Sequence, residues 1–167
     1  MNIIEGNAWT YGANIDTDAL SPIGSYQGMG NLAAGAVHCM RDIDPNFSKS
    51  VKEGDVFVAT DNLGIGSSRE TAPLFLKTLG IRAVVAKSFA RIFYRNCFNI
   101  GLPALVCPDA ADIKMGDQLN VNASSGEIAN ETQGVTYRCQ PVPDHLMAIV
   151  DAGGLMPFLQ KKLKKSA

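Results

Sequence analysis

Two hydroxyls and a guanidinium stand in a row at Ser67, Ser68 and Arg69, directly behind Gly64 and Gly66. The run before them, Asp55 to Ala59, is β-branched and aromatic; after them Ala72, Phe75, Leu76 and Leu79 recur at the i, i+3, i+4, i+7 spacing of one helical face. The triplet therefore sits where a strand passes into a helix. Amides at such a junction point at whatever lies in front of the helix, which suits a carboxylate or an alkoxide. A second reading stands beside this one: Ser67 and Glu70 have the S-x-x-E spacing of a capping box, which makes Ser67 an N-cap and nothing more. Pro73 weighs against the cap. A helix starting at Ser67 puts the proline in its second turn, where it deletes a backbone bond and clashes with a carbonyl. A start near Arg69 to Thr71 puts it among first-turn positions whose N–H has no helical partner. The later start leaves Ser67, Ser68 and Arg69 in the loop, free to point outward.

The elements that must hold this junction alternate: strand (55–59), helix (72–79), strand (82–86), helix (89–98), strand (104–107). That order implies parallel β-α-β crossovers and an α/β fold. Gly80 is placed to close the first of the two helices. Upstream lie a strand at 8–11, a long irregular loop at 16–30 and a helix at 31–40. Downstream, Met115-Gly116-Asp117 and Ser124-Ser125-Gly126 are turn signals that divide the segment to Cys139 into short antiparallel strands. A helix at 143–152 follows, and Gly153-Gly154 breaks it before a short basic helix from Leu155. No repeat, low-complexity stretch or long linker divides residues 1–167, which read as one domain.

Composition narrows the function classes. The chain has 167 residues, 46% hydrophobic, and a formal charge of −1. It can bury a real core and has no bulk electrostatic reason to seek nucleic acid. No apolar stretch approaches the roughly 18 residues of a membrane span, and the N-terminus lacks the pattern of a signal peptide, so a cytoplasmic location is the expectation. Cys39, Cys97, Cys107 and Cys139 are widely spaced without a C-x-x-C pair, which predicts buried free thiols and no metal site on this chain. His38 and His145 are isolated and read as structural. Arg91 and Arg95, at i and i+4, are expected to pair with acidic groups or helix ends, and Asn96 and Asn99 to cap or turn the backbone. The lysines at 161, 162, 164 and 165 suit a last helical turn opposing the helix dipole. A non-catalytic anion- or nucleotide-binding module is the rival class. It lacks the lysine of a P-loop and the third glycine of a dinucleotide fingerprint.

Three ordered blocks go further: residues 14–18 (Asn-Ile-Asp-Thr-Asp), residues 64–73 with the Ser67-Ser68-Arg69 triplet, and residues 88–96 followed by Asn99-Ile100-Gly101-Leu102-Pro103. Together they resemble the small-subunit family of the 3-isopropylmalate dehydratases, in the aconitase superfamily. The resemblance implies a swivelling β/β/α domain and a hydro-lyase that works only with a large subunit. It places a 4Fe–4S cluster on cysteines of that partner and none on this chain. The isolated chain can also self-associate. By the same resemblance Ser67 is the catalytic base, acting as an alkoxide, while Ser68, Arg69 and Gly66 bind a substrate carboxylate. Asp16 and Asp18 lie beside the active site and are expected among the substrate-binding residues; as residues alone they also read as turn formers.

The resemblance further assigns the stretch after Pro22 to contact with the variable substituent of the substrate, here Ser25, Tyr26, Gln27 and Gly28. Many relatives carry an arginine or lysine where this chain has Gln27 and Gly28. An arginine grips an extra carboxylate through two parallel bonds, whereas glutamine offers only neutral hydrogen bonds. The expected substrate is therefore an alkyl-substituted malate, with isopropylmalate first and dimethylmalate, citraconate-type or homoaconitate substrates as alternatives.

Overall fold

The computed structural model describes residues 3–26 and 31–166. Gln27 and Gly28 of the expected specificity loop lie outside the described residues. Among those described, seven strands form one mixed sheet in the order β4-β3-β2-β1-β5-β6-β7. They are β1 (Ile4–Thr10), β2 (Val56–Ala59), β3 (Ala83–Ala86), β4 (Ala104–Val106), β5 (Gln118–Asn122), β6 (Glu127–Asn130) and β7 (Val135–Arg138).

The first four strands are parallel, as the alternation predicts. Every residue of β2 and β3 is buried, which is why both read as unbroken apolar runs: helices and turns cover both faces. The last three strands are antiparallel, and β5 and β6 alternate, with Leu119, Val121 and Ile128 turned into the core. β1 joins the two wings. Its residues 8–10 pair in parallel with β2 and its residues 4–7 antiparallel with β5, so the strand begins at Ile4 rather than near Ala8 as expected.

Between β1 and β2 lie three short helices, α1 (Thr17–Leu20), α2 (Leu32–Ala36) and α3 (Phe47–Ser50). The helix expected over 31–40 stops at Ala36; the Met40 amide is taken by the Ala19 carbonyl, at a left-handed φ of 64°, and this turns the chain away. α3 was not anticipated. It exists to bury Phe47, whose ring meets Trp9 and Phe57 edge to face. The crossover helices are α4 (Thr71–Leu79) and α5 (Arg91–Asn99). α4 seats Ala72, Phe75 and Leu76 on the sheet and ends at Gly80, whose left-handed backbone closes it as expected. α5 starts two residues later than expected because Ala90, whose N–H donates to the Leu63 carbonyl, is held in extended backbone with ψ 136° and serves as the N-cap. α6 (Asp144–Asp151) and α7 (Leu155–Ser166) end the chain, with Lys164 and Lys165 in the last turn of α7.

Buried side chains from Ala8 to Met147 form one continuous cluster that spans both wings. After β7 the chain returns to the other end of the sheet: the Gln140 amide donates to the Val106 carbonyl of β4 at 2.9 Å. The sheet is thereby curled until its ends meet. Among the described residues, no helix is long and apolar enough to cross a membrane.

Candidate active site

Loops leave the carboxyl ends of β1, β2 and β3 on the same edge of the parallel wing, which is where open α/β sheets hold ligands. Two isolated bridges strap the β2 loop to its neighbours, Asp16 to Ile65 on one side and Leu63 to Phe89 on the other. The first bridge is made by Gly64 N–H to the Ile15 carbonyl at 2.7 Å and Thr17 N–H to the Ile65 carbonyl at 2.8 Å, the second by Leu63 N–H to the Ser88 carbonyl at 3.1 Å and Ala90 N–H to the Leu63 carbonyl at 2.9 Å. Both glycines are needed for this. Gly64 has φ 86° and a Cβ there would lie 2.1 Å from Phe93 Cγ; Gly66 has φ 114° and a Cβ would lie 2.9 Å from Thr17 Oγ1.

α4 begins at Thr71, with Glu70 as N-cap and Pro73 third in the helix. Ser67 is therefore not its cap, and its hydroxyl is engaged elsewhere. Arg69 Nε donates to Ser67 Oγ at 2.8 Å, the Arg69 backbone N–H approaches it at 3.4 Å, and Thr17 Oγ1 lies 3.0 Å away. The Ser67 N–H does not serve an oxyanion, since it donates to Thr17 Oγ1 at 2.9 Å. Arg69 Nη2 is ion-paired with Asp18 Oδ1, which fixes the guanidinium plane so that Nε faces the serine. Among the described residues the Arg69 Nη1 edge and the Gly66 and Ser68 N–H groups take no hydrogen bond. Gly66, Ser67 and Ser68 themselves are exposed.

Asp16 is the N-cap of α1, its Oδ1 accepting the Ala19 N–H at 2.8 Å. It thereby sets the turn that presents Thr17 and Asp18. Next to Arg69 a cavity of about 300 Å³ is lined by Ser21, Pro22, Gly24, Tyr26, Glu70 and Thr71. Tyr26 packs edge to face on the buried Phe75 of α4, with ring centroids 6.3 Å apart. Ser25 is tied back to the Pro22 carbonyl through its hydroxyl, so it shapes the turn.

Four contributors went unrecognised in the sequence. Thr17 touches Ser67; Ser21 and Thr71 share a 2.8 Å hydrogen bond at the cavity wall; Asn96 Nδ2 donates to the Ser68 carbonyl at 3.0 Å, anchoring the loop to α5. Asn96 is thus no cap. Arg91 and Arg95, expected to pair with acidic groups or helix ends, are exposed and enter none of the ion pairs among the described residues.

A metal cluster does not fit the donors present. No group of three His, Cys, Asp or Glu side chains among the described residues can hold an ion, and the four cysteines are buried apart from the site. Burial pushes the Cys39 and Cys97 thiols well above their ordinary range. Cys139, hydrogen-bonded to Cys107, is pushed up as well, while the same bond holds Cys107 down against its burial.

A family model described as the aconitase C-terminal domain matches residues 37–110. The 3-isopropylmalate dehydratase small subunit of Moorella thermoacetica is 48% identical over 165 residues, 98% of this chain and 99% of that protein. A protein of Methanocaldococcus jannaschii called isopropylmalate/citramalate isomerase small subunit is 47% identical over 166 residues, 99% and 98% of the two chains. The crystal structure of a 3-isopropylmalate dehydratase from the same organism superposes with a TM-score of 0.90, at 45% identity and 98% coverage of both chains.

Proposed function

This chain belongs to the family of 3-isopropylmalate dehydratase small subunits, and on that premise we propose that it is the small subunit of a two-chain hydro-lyase. Its fold is the swivelling β/β/α domain of that family. The complex dehydrates a 2-hydroxy dicarboxylic acid and re-adds water the other way, with an alkyl-substituted malate, isopropylmalate first, as substrate and leucine biosynthesis as the context.

The reaction removes a proton next to a carboxylate, which needs a base and a set of donors that stabilise charge. Ser67 Oγ is the base. A serine hydroxyl is far too weak an acid to ionise in water, so its alkoxide must be held by pre-organised donors in a site closed to solvent. Ser67 Oγ has such donors in the Arg69 Nε–H and the Arg69 backbone N–H. The remaining Arg69 edge, with Ser68 and the Gly66 and Ser68 amides, grips a substrate carboxylate. Asp18 aligns Arg69, and Asp16 aligns Asp18 through the α1 cap. Tyr26 and the cavity beside it take the alkyl group.

One observation carries this reading: a serine oxygen gripped by an arginine Nε that an aspartate holds in plane, on a loop with no cover of its own. The cover is the large subunit. A 4Fe–4S cluster bound there supplies Lewis-acid polarisation of the leaving hydroxyl. The test is anaerobic assembly of the purified chain with its large subunit, following the ultraviolet absorbance of the unsaturated product with isopropylmalate, citramalate and a tricarboxylate. Turnover of isopropylmalate by the assembled pair and by neither chain alone is expected; activity of this chain alone, or of the pair on tricarboxylates only, contradicts the reading.

A further inference from the structure

We propose that Thr17 is a positioning residue for Ser67, its oxygen fixing the Ser67 backbone and its hydroxyl proton stabilising the Ser67 oxyanion; the inference rests on the reading of Ser67 as the base. Thr17 is 1% exposed and opens α1, which is locked by the Asp16 cap and by the Thr17 N–H bond to Ile65. Its orientation is thus set by backbone, not by solvent. The Thr17 oxygen accepts the Ser67 N–H at 2.9 Å and stands 3.0 Å from Ser67 Oγ. With one lone pair taken by that amide, its own proton remains to be donated.

While Ser67 is neutral, either hydroxyl can donate to the other. Once Ser67 has lost its proton, only Thr17 can. The contact is therefore strongest in the ionised form, and it raises the fraction of Ser67 present as the alkoxide that takes up the substrate proton. Gly66 keeps the space open, since any Cβ there would press on Thr17 Oγ1. The charged groups facing Ser67 are Arg69 from its own loop and, through Arg69, Asp18 of α1; Asp16 precedes Thr17, and Glu70 caps α4. None of them changes in the variants below.

The experiment compares wild type, Thr17→Val, Thr17→Ser and Ser67→Ala in the assembled two-subunit enzyme, each checked for folding by thermal melt and for pairing by gel filtration. Thr17→Ala replaces the valine variant if the added methyl prevents assembly. Thr17→Val is expected to lower kcat by about 10²-fold, the loss typical of one oxyanion donor, with KM little changed. Removing a donor to the charged form raises the pKa of Ser67, so the acid limb of the kcat profile moves to higher pH and the deficit narrows as pH rises. Thr17→Ser keeps the hydroxyl and stays close to wild type. A wild-type kcat in Thr17→Val, a loss uniform across pH, or failure of serine to restore activity overturns the inference. If Ser67→Ala itself keeps wild-type kcat, the base assignment falls and the inference with it; an inactive Ser67→Ala beside an unaffected Thr17→Val removes the inference alone.

Discussion

Arg69 holds two groups at once, Ser67 through Nε and Asp18 through Nη2, and those two bonds fix the plane in which its remaining edge is offered. A lysine ammonium is a point charge that cannot span both. Arg69→Lys is expected to reduce kcat/KM about 10- to 100-fold, the equivalent of one charge-assisted hydrogen bond. KM should rise as well as kcat fall, because the same side chain serves base and substrate. Steady-state kinetics of the assembled enzyme decide it, and an unchanged KM takes Arg69 out of substrate binding. That the triplet lies in a loop ahead of the helix was legible in the sequence, since Pro73 weighs against a helix start at Ser67, and α4 begins at Thr71. Thr17 was not, although it sits inside the Asn14 to Asp18 block. A buried threonine in a one-turn helix looks like any helix residue until its partner, 50 positions away, is known.

That partner is set by strand register. β1 and β2 pair Thr10 with Val58, so the two loops leave the sheet at one level and bring Thr17 and Ser67 together. Strands and crossover helices were legible from apolar period and glycine punctuation. The three short helices between β1 and β2 were poorly so, because tertiary hydrogen bonds such as Met40 to Ala19 decide where they stop. The corner between parallel and antiparallel wings depends on Asp117, whose backbone carbonyl accepts the Ala8 N–H. Burial would raise its carboxyl. The Lys114 amide and the Asn130 and Gln133 side chains together overcome that and hold it below its ordinary value. A depressed carboxyl contributes stability above its unfolded value and loses it as pH falls through the folded value. Wild-type stability should therefore decline at and below the ordinary carboxylate range. Asp117→Ala should lose about 1–3 kcal/mol at neutral pH, the cost of leaving the buried Asn130 amide without its acceptor, and show a flatter acid decline. Urea unfolding across a pH series checks both; parallel pH profiles for the two proteins would contradict the assignment.

The curled sheet carries the proposed base and its arginine at the carboxyl edge of its parallel wing. Ser67 and Ser68 are exposed there, and an alkoxide cannot persist in open water. With Ser67 as the proposed base, this chain is incomplete as a catalyst, a property that neither composition nor periodicity reveals. It follows from placing a proposed base on a surface. The central claim is that Ser67 is that base, and the most direct measurement is kcat of the Ser67→Ala variant in the assembled two-subunit enzyme, with KM and the melting temperature alongside. With Ser67 as the base, kcat falls by about 10² to 10⁴, the range for a lost general base, with KM and melting temperature little changed. A Ser67→Ala enzyme that melts lower by the roughly 1 kcal/mol of a lost helix cap and turns over like wild type would contradict it.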